Sequence, residues 1–192
     1  MAIYNSASFP PSQLWDYAAK LYSSQDVEEA CLSLQDRRGL DVNLILFCIW
    51  VAASGRGAMT EEEMTAGIDA GIVWQSQVVA PLRHVRRFLK GPIAPADGRL
   101  GAELGRVVSE SELYSEHMEI QILSEIVVRP ATGSFDMQER GQEAAANLQA
   151  YLDRMIEDIN NEDRAALLVI WQESFPAANP KYTDLFFPLV TA

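Results

Sequence analysis

The sequence has few of the residues that build catalytic, metal or disulfide centres. Only two cysteines and two histidines occur among its 192 residues. Cys31 and Cys48 lack the paired spacing of a metal or redox motif, so we interpret both as small core residues. Neither His84 nor His117 follows a Glu by three positions, as a di-iron bundle would require, and His117 is expected at the edge of a solvated face. No catalytic residue, cofactor or metal is predicted.

Long apolar runs are also missing. The longest, residues 44–53, is about half of the ~20 residues that a membrane span requires. Residues 1–11 contain no basic stretch followed by an apolar one, so the sequence predicts no secretory signal. Hydrophobic residues make up 48% and charged residues 22% of the chain, as in ordinary globular proteins. We therefore expect a cytoplasmic protein.

Basic residues are scarce in the second half of the chain. The net charge is −12, and residues 97–192 carry 17 of the 27 acidic residues but only 7 of the 15 basic ones. A negative field of this kind repels phosphate backbones and anionic bilayers at long range. No membrane partner is expected, and nucleic acid is disfavoured as a partner.

Apolar residues recur every three or four positions through most of the chain, which predicts an all-α fold of about six to eight helices. The predicted helices cover residues 11–22, 27–37, 42–53, 61–70, 73–90, 102–128, 134–160 and 162–174. Between residues 42 and 53 only Asn43 is polar, so this helix should be buried on all sides at the centre of the fold. We interpret residues 1–192 as one domain. If there are two lobes, they meet in the Gly- and Pro-rich loop 91–101.

Polar caps and prolines predict several helix ends. Asp26 and Glu29 fit a capping box at the start of the second predicted helix. Asp41 is placed to cap the central helix, because its carboxylate can accept amide protons of the first turn. Pro81 lies inside the fifth predicted helix and predicts a kink rather than a break, since the apolar positions stay in phase across it.

One stretch of sequence carries a family resemblance. Residues 30–50 read ACLSLQDRRGLDVNLILFCIW. This stretch resembles a family of uncharacterised bacterial proteins with the signature ACLxLQD..G.DVNLxLFCxW, and residues 81–90 are similar to a second shared segment. The resemblance implies a small helical protein. It implies no activity, cofactor or catalytic residue.

Four polar residues lie where the second and third predicted helices meet. They are Gln35, Asp36, Asp41 and Asn43. In the interpretation we favour, they cap and hydrogen-bond a tight connection, with the Asn43 amide bonded to a buried backbone group. The alternative is a small polar pocket, or a magnesium site built on Asp36 and Asp41.

Four basic residues recur at helical spacing and form what we call the basic stripe. They are Arg83, Arg86, Arg87 and Lys90. The stripe can pair with an acidic face of the same chain, bind a phosphate-bearing ligand or acidic partner, or contact nucleic acid. We favour the internal pairing. The candidate acidic face consists of Glu112, Glu116 and Glu119.

Two functional hypotheses follow. The leading one is a protein-interaction or regulatory module, a homo-oligomer whose contact surface is the 102–128 helix, which has two apolar faces, or the apolar tail 176–192. We expect that tail to pack on its own subunit. The alternative is an enzyme or binder of a small phosphorylated or diphosphate ligand, using the basic stripe with Asp36 and Asp41. A polar pocket beside the stripe would favour the alternative, and a self-complementary apolar patch the leading hypothesis.

Overall fold

The computed structural model describes residues 11–91 and 98–186, and within these ranges it contains helices and no β-strand. The α-helices are α1 (Gln13–Tyr22), α2 (Gln25–Arg38), α3 (Val42–Ala53), α4 (Glu61–Trp74), α5 (Ala80–Leu89), α6 (Gly98–Ser124), α7 (Met137–Met155) and α8 (Asn161–Ser174). The predicted all-α fold is confirmed. No helix in these ranges is both long and apolar enough to cross a bilayer. The expectations for residues 1–10, 92–97 and 187–192 lie outside the described residues.

Helix α3 is the central helix of the fold, because its whole circumference is apolar. All residues from 44 to 52 are buried. The helix packs mainly on α7 and also on α1 and α6. At its N-terminus, the Asp41 carboxylate accepts the Asn43 amide proton at 2.9 Å, so the predicted cap is confirmed.

A buried amide side chain ties α3 to α7. Asn147 donates through Nδ2 to the carbonyl of Cys48 at 3.0 Å and accepts the backbone N–H of Met59 at 2.8 Å. These bonds satisfy polar groups that would otherwise be stranded in the core. Cys31 and Cys48 are buried and free, as predicted for core residues, and burial raises the pKa of each thiol to about 12.

Residues 61–89 form one continuous helical path with a π turn at Gln75–Val79, between α4 and α5. In a regular helix the ring of Pro81 would clash with the Gln77 carbonyl and leave it without a donor. The N–H of Ala80 instead bonds the carbonyl of Gln75, five residues earlier. This wider turn lets the helix pass the proline, so the chain does not break at Pro81. The predicted separation of helices 61–70 and 73–90 is wrong, because α4 continues through residues 71 and 72.

The predicted bounds of three helices are corrected. The capping box of Asp26 and Glu29 is wrong, because α2 already begins at residue 25 and Asp26 lies inside its first turn. Helix α6 covers 98–124 instead of 102–128. Helix α7 starts at residue 137 instead of 134, because the Asp136 carboxylate accepts the amide protons of residues 138 and 139.

The C-terminal tail packs on the body of its own chain as far as residue 186. Leu185 and Phe186 are buried. The ring of Phe186 meets that of Trp171 edge-on, with centroids 5.3 Å apart. Packing of the tail on its own subunit is therefore confirmed for residues 176–186.

Candidate functional site

The basic stripe and the acidic face meet where α5 packs along α6. Arg83 donates from Nε to Glu112 at 3.0 Å and from Nη2 to Glu116 at 3.1 Å. Arg86 also binds Glu112, through Nε and through Nη2. Burial opposes ionisation of Glu112, but the hydrogen bonds and charges of the two guanidiniums together lower its pKa. The interpretation of internal pairing therefore holds for these two arginines.

The other half of the stripe is different. Arg87 and Lys90 are exposed, and neither side chain makes a hydrogen bond or an ion pair with another described residue. Arg87 lines two clefts in the surface, whereas Lys90 lines neither. Arg87 is therefore a cation with both access to a cavity and no counter-ion among the described residues.

A cleft of about 750 Å³, here called the main cleft, lies between α1, α2, α3, α5 and α6. This volume is typical of small-molecule sites. Seven of the eight residues nominated from the sequence line it: Gln35, Asp36, Asp41, Asn43, Arg83, Arg86 and Arg87. A second cleft, of about 460 Å³, shares part of this wall, including Asp36, Asp41 and Arg87. Residues separated by more than 50 positions therefore face one space.

The apolar side of the main cleft comes mainly from α1 and α6. Trp15 and Tyr22 of α1 line it together with Leu113 of α6. The Trp15 ring also stacks on His117, with centroids 3.9 Å apart and planes at 7°. His117 was expected at the edge of a solvated face; its imidazole is half-buried against Trp15, and desolvation lowers its pKa.

A pair of carboxyl groups, Asp41 and Glu119, lies at the floor of the main cleft, and of the two only Asp41 lines the cavity. Glu119 of α6 is 1% exposed, and its Oε2 accepts hydrogen bonds from Asn43 at 2.7 Å and from Gln75 at 2.8 Å. Its other oxygen and Asp41 Oδ2 are both buried without a donor among the described residues, and the two carboxyl groups are close enough to share a hydrogen bond. Such a bond requires that one of them carry a proton.

The pKa shifts of Asp41 and Glu119 agree with a proton shared between the two carboxyl groups. Burial, followed by the charge of Asp41, raises the pKa of Glu119 to about 9. Burial also raises the pKa of Asp41, against the opposing effect of its hydrogen bonds. Two carboxylates in contact cannot both ionise at neutral pH without a large cost. The pair therefore carries one negative charge and one proton.

Within the polar pocket predicted from the sequence, the hydrogen bonds differ from those expected. The Asn43 side chain bonds the Glu119 carboxyl instead of a buried backbone group. The backbone N–H of Asp41 donates to the hydroxyl of Tyr151 at 3.0 Å. Asp36 is exposed, and its side chain makes no hydrogen bond or ion pair with another described residue. In those same residues no three His, Cys, Asp or Glu side chains group closely enough to hold a metal.

Sequence reasoning missed two contributors and misassigned a third. Trp15 was not nominated for the site, because its spacing is that of a core position, and Gln75 was not nominated, because a π turn leaves no local pattern. Glu119 was assigned to the acidic face that pairs with the basic stripe, but in the structure its carboxyl group binds Asn43 and Gln75. It lies on the buried face of α6 with Glu112, Ser115, Ile120 and Leu123, where an acid needs a hydrogen-bonding partner.

Comparison with known proteins assigns the chain to a family. A family model described as "Protein of unknown function (DUF2390)" matches residues 13–123. The chain belongs to this family. The matched region runs from α1 almost to the end of α6 and includes every residue named above as lining the main cleft. No curated protein and no solved structure gives a significant match.

Proposed function

We propose that this chain binds a small organic molecule with an anionic group in the main cleft. The observation that carries the proposal is Arg87, which faces the cleft with no counter-ion among the described residues. A guanidinium in this position offers a planar fork of donors to a carboxylate or phosphate. The function proposed is ligand binding, and no reaction is assigned.

The neighbouring arginines support the proposal by their rigidity. Arg83 and Arg86 are held by Glu112 and Glu116, so their cleft-facing surfaces are fixed before a ligand arrives. A pre-organised wall of this kind reduces the entropy lost on binding. The aromatic faces of Trp15 and Tyr22 supply contact area for an apolar part of the ligand.

Matched variants on α5 test the proposal. Arg87→Gln removes the free cation of the cleft, and Lys90→Gln removes an equal charge from the same helix outside it. Phenyl phosphate, 3-phenylpropionate and inorganic pyrophosphate, the last with and without Mg²⁺, are the probes in thermal-shift and calorimetric titrations. At least one probe should stabilise the wild type and Lys90→Gln but not Arg87→Gln, and its binding should weaken from 0.1 to 0.5 M salt as the charges are screened.

Two results count against this function. If no probe raises the melting temperature of the wild type, the cleft is not an anion-binding site. If Arg87→Gln and Lys90→Gln lose binding equally, the effect is a diffuse loss of positive charge and the cleft is not involved.

A second candidate is an interaction module that self-associates through α5 and the first half of α6. No residue of α5 is buried, and Val85 and Phe88 are exposed on it. Leu100 and Leu104 of α6 are exposed as well. Apolar side chains concentrated on one helix pair favour a protein contact. A homodimer formed by this surface is the form of the hypothesis that we test below.

A further inference from the structure

The balance of positive and negative charges in the main cleft does not favour a polyanion. Arg83 and Arg86 are already neutralised by Glu112 and Glu116. Among the described residues that line the cleft, three charges are then left: the cation Arg87, the carboxylate Asp36 and the one negative charge that Asp41 shares with Glu119 behind it. The cleft therefore presents one unpaired positive group and two negative ones.

This arrangement discriminates between classes of ligand. A diphosphate would gain one guanidinium and be repelled by Asp36 and Asp41, and a simple cation would gain carboxylates but be repelled by Arg87. A molecule that carries one anionic and one cationic group satisfies both kinds of charge. Complementarity of this type selects partners chiefly through the cost of mismatched charges.

The rest of the lining is apolar and partly aromatic. Trp15, Tyr22, Leu32, Leu46 and Leu113 line the main cleft beside the charged residues. An apolar side chain of a ligand gains burial and ring contacts there. The charged and apolar walls thus face different parts of the same molecule.

We propose that the ligand is a zwitterion of amino-acid type with an apolar or aromatic side chain. Its carboxylate binds Arg87, and its ammonium group binds Asp36, with the negative charge of Asp41 in the same cleft wall. The proposal rests on the proposed function, because it names the class of ligand for the same cleft. It replaces the phosphorylated or diphosphate ligand expected from the basic stripe.

Three probes of nearly equal shape test the proposal. L-Phenylalanine carries both charges, 3-phenylpropionate lacks the ammonium group and 2-phenylethylamine lacks the carboxylate. Calorimetry of the full chain should give L-phenylalanine the highest affinity, with a loss of about tenfold or more for each truncated probe. Arg87→Gln should weaken the binding of L-phenylalanine and 3-phenylpropionate but not that of 2-phenylethylamine, which loses a repulsion. Asp36→Asn should weaken the binding of L-phenylalanine and 2-phenylethylamine but not that of 3-phenylpropionate, which also loses a repulsion.

The outcomes separate this inference from the function on which it rests. If pyrophosphate, phenyl phosphate or 3-phenylpropionate binds in an Arg87-dependent way and more tightly than L-phenylalanine, the cleft binds anions and the zwitterion proposal is wrong. If none of the probes binds, both proposals fail. Circular dichroism of each variant verifies that it is folded, and Lys90→Gln should bind every probe as the wild type does.

Discussion

The side chain of Asn43 donates a hydrogen bond of 2.7 Å to Glu119, a residue 76 positions later in the chain. This bond joins the N-terminus of the central helix α3 to the buried face of α6 at the floor of the main cleft. Gln75, from the π turn, bonds the same oxygen of Glu119. Three separate parts of the chain therefore meet at one carboxyl group.

Replacement of Asn43 by Leu should lower the free energy of unfolding by about 1–3 kcal/mol, because the buried Glu119 carboxyl loses a donor that no water replaces. Urea unfolding measures the change. A double-mutant cycle with Glu119→Leu is the control: the double variant should cost less than the two single changes together. Unchanged stability of Asn43→Leu would show that the bond contributes nothing.

Glu119→Gln should flatten the dependence of stability on pH. The folded-state pKa of Glu119 is raised from 4.5 to about 9, so between these values the folded chain binds a proton that the unfolded chain has lost. Stability of the wild type should therefore fall as pH rises through this window, by at most about 1.4 kcal/mol per pH unit.

Unfolding of both proteins between pH 5 and 9 measures the effect. Glu125→Gln, an exposed change just beyond the end of α6, is the matched control and should keep the slope of the wild type. The same slope in Glu119→Gln would exclude a buried proton on this pair.

Phe88→Asp should abolish self-association if the α5–α6 surface is the contact between copies. Phe88 is 65% exposed, and a carboxylate in the middle of an apolar contact carries a large desolvation penalty. Sedimentation velocity at micromolar concentration should give a dimer for the wild type and a monomer for the variant. Val128→Asp, at an exposed apolar position outside α5 and α6, should remain a dimer. A wild-type monomer would contradict the prediction.

Phe186→Ala should destabilise the chain by about 3–5 kcal/mol, as expected for loss of a fully buried ring from the core. The Phe186 side chain is 0% exposed and lies against Trp171. Thermal and urea unfolding measure the cost. Tyr182→Ala, at an exposed position in the same tail, should change stability by less than about 0.5 kcal/mol. Equal effects of the two changes would mean that the tail does not stabilise the fold.

Features with a local cause could be predicted from the sequence. The burial of α3 follows from the absence of a polar stripe, and the cap by Asp41 needs only its own first turn. The predictions that failed at helix ends concern a choice between neighbouring residues of one segment. Asp26 was predicted to precede α2, whereas the structure has Ser24 in that position, without a side-chain hydrogen bond to the helix.

The site could be predicted only in part. The basic stripe and the polar pocket were both identified, and the fold brings seven of the eight nominated residues to one cleft. The role of each residue could not be predicted from the sequence. Periodicity shows which residues share a helix face but not which face of another helix lies opposite. Arg87 and Lys90 are equivalent in sequence, yet only Arg87 faces the cleft.

The sequence by itself therefore determined the helical class, the central helix and the pool of charged residues, since these depend on side chains within a few turns of each other. Only the tertiary structure decided that Arg83 neutralises Glu112 and that Glu119 and Asp41 share a proton. It also decided that Arg87 has no counter-ion among the described residues. The physical reason is that the energy of a charge depends on its distance from other charges and from water. Those distances are set by the packing of helices that are far apart in the chain.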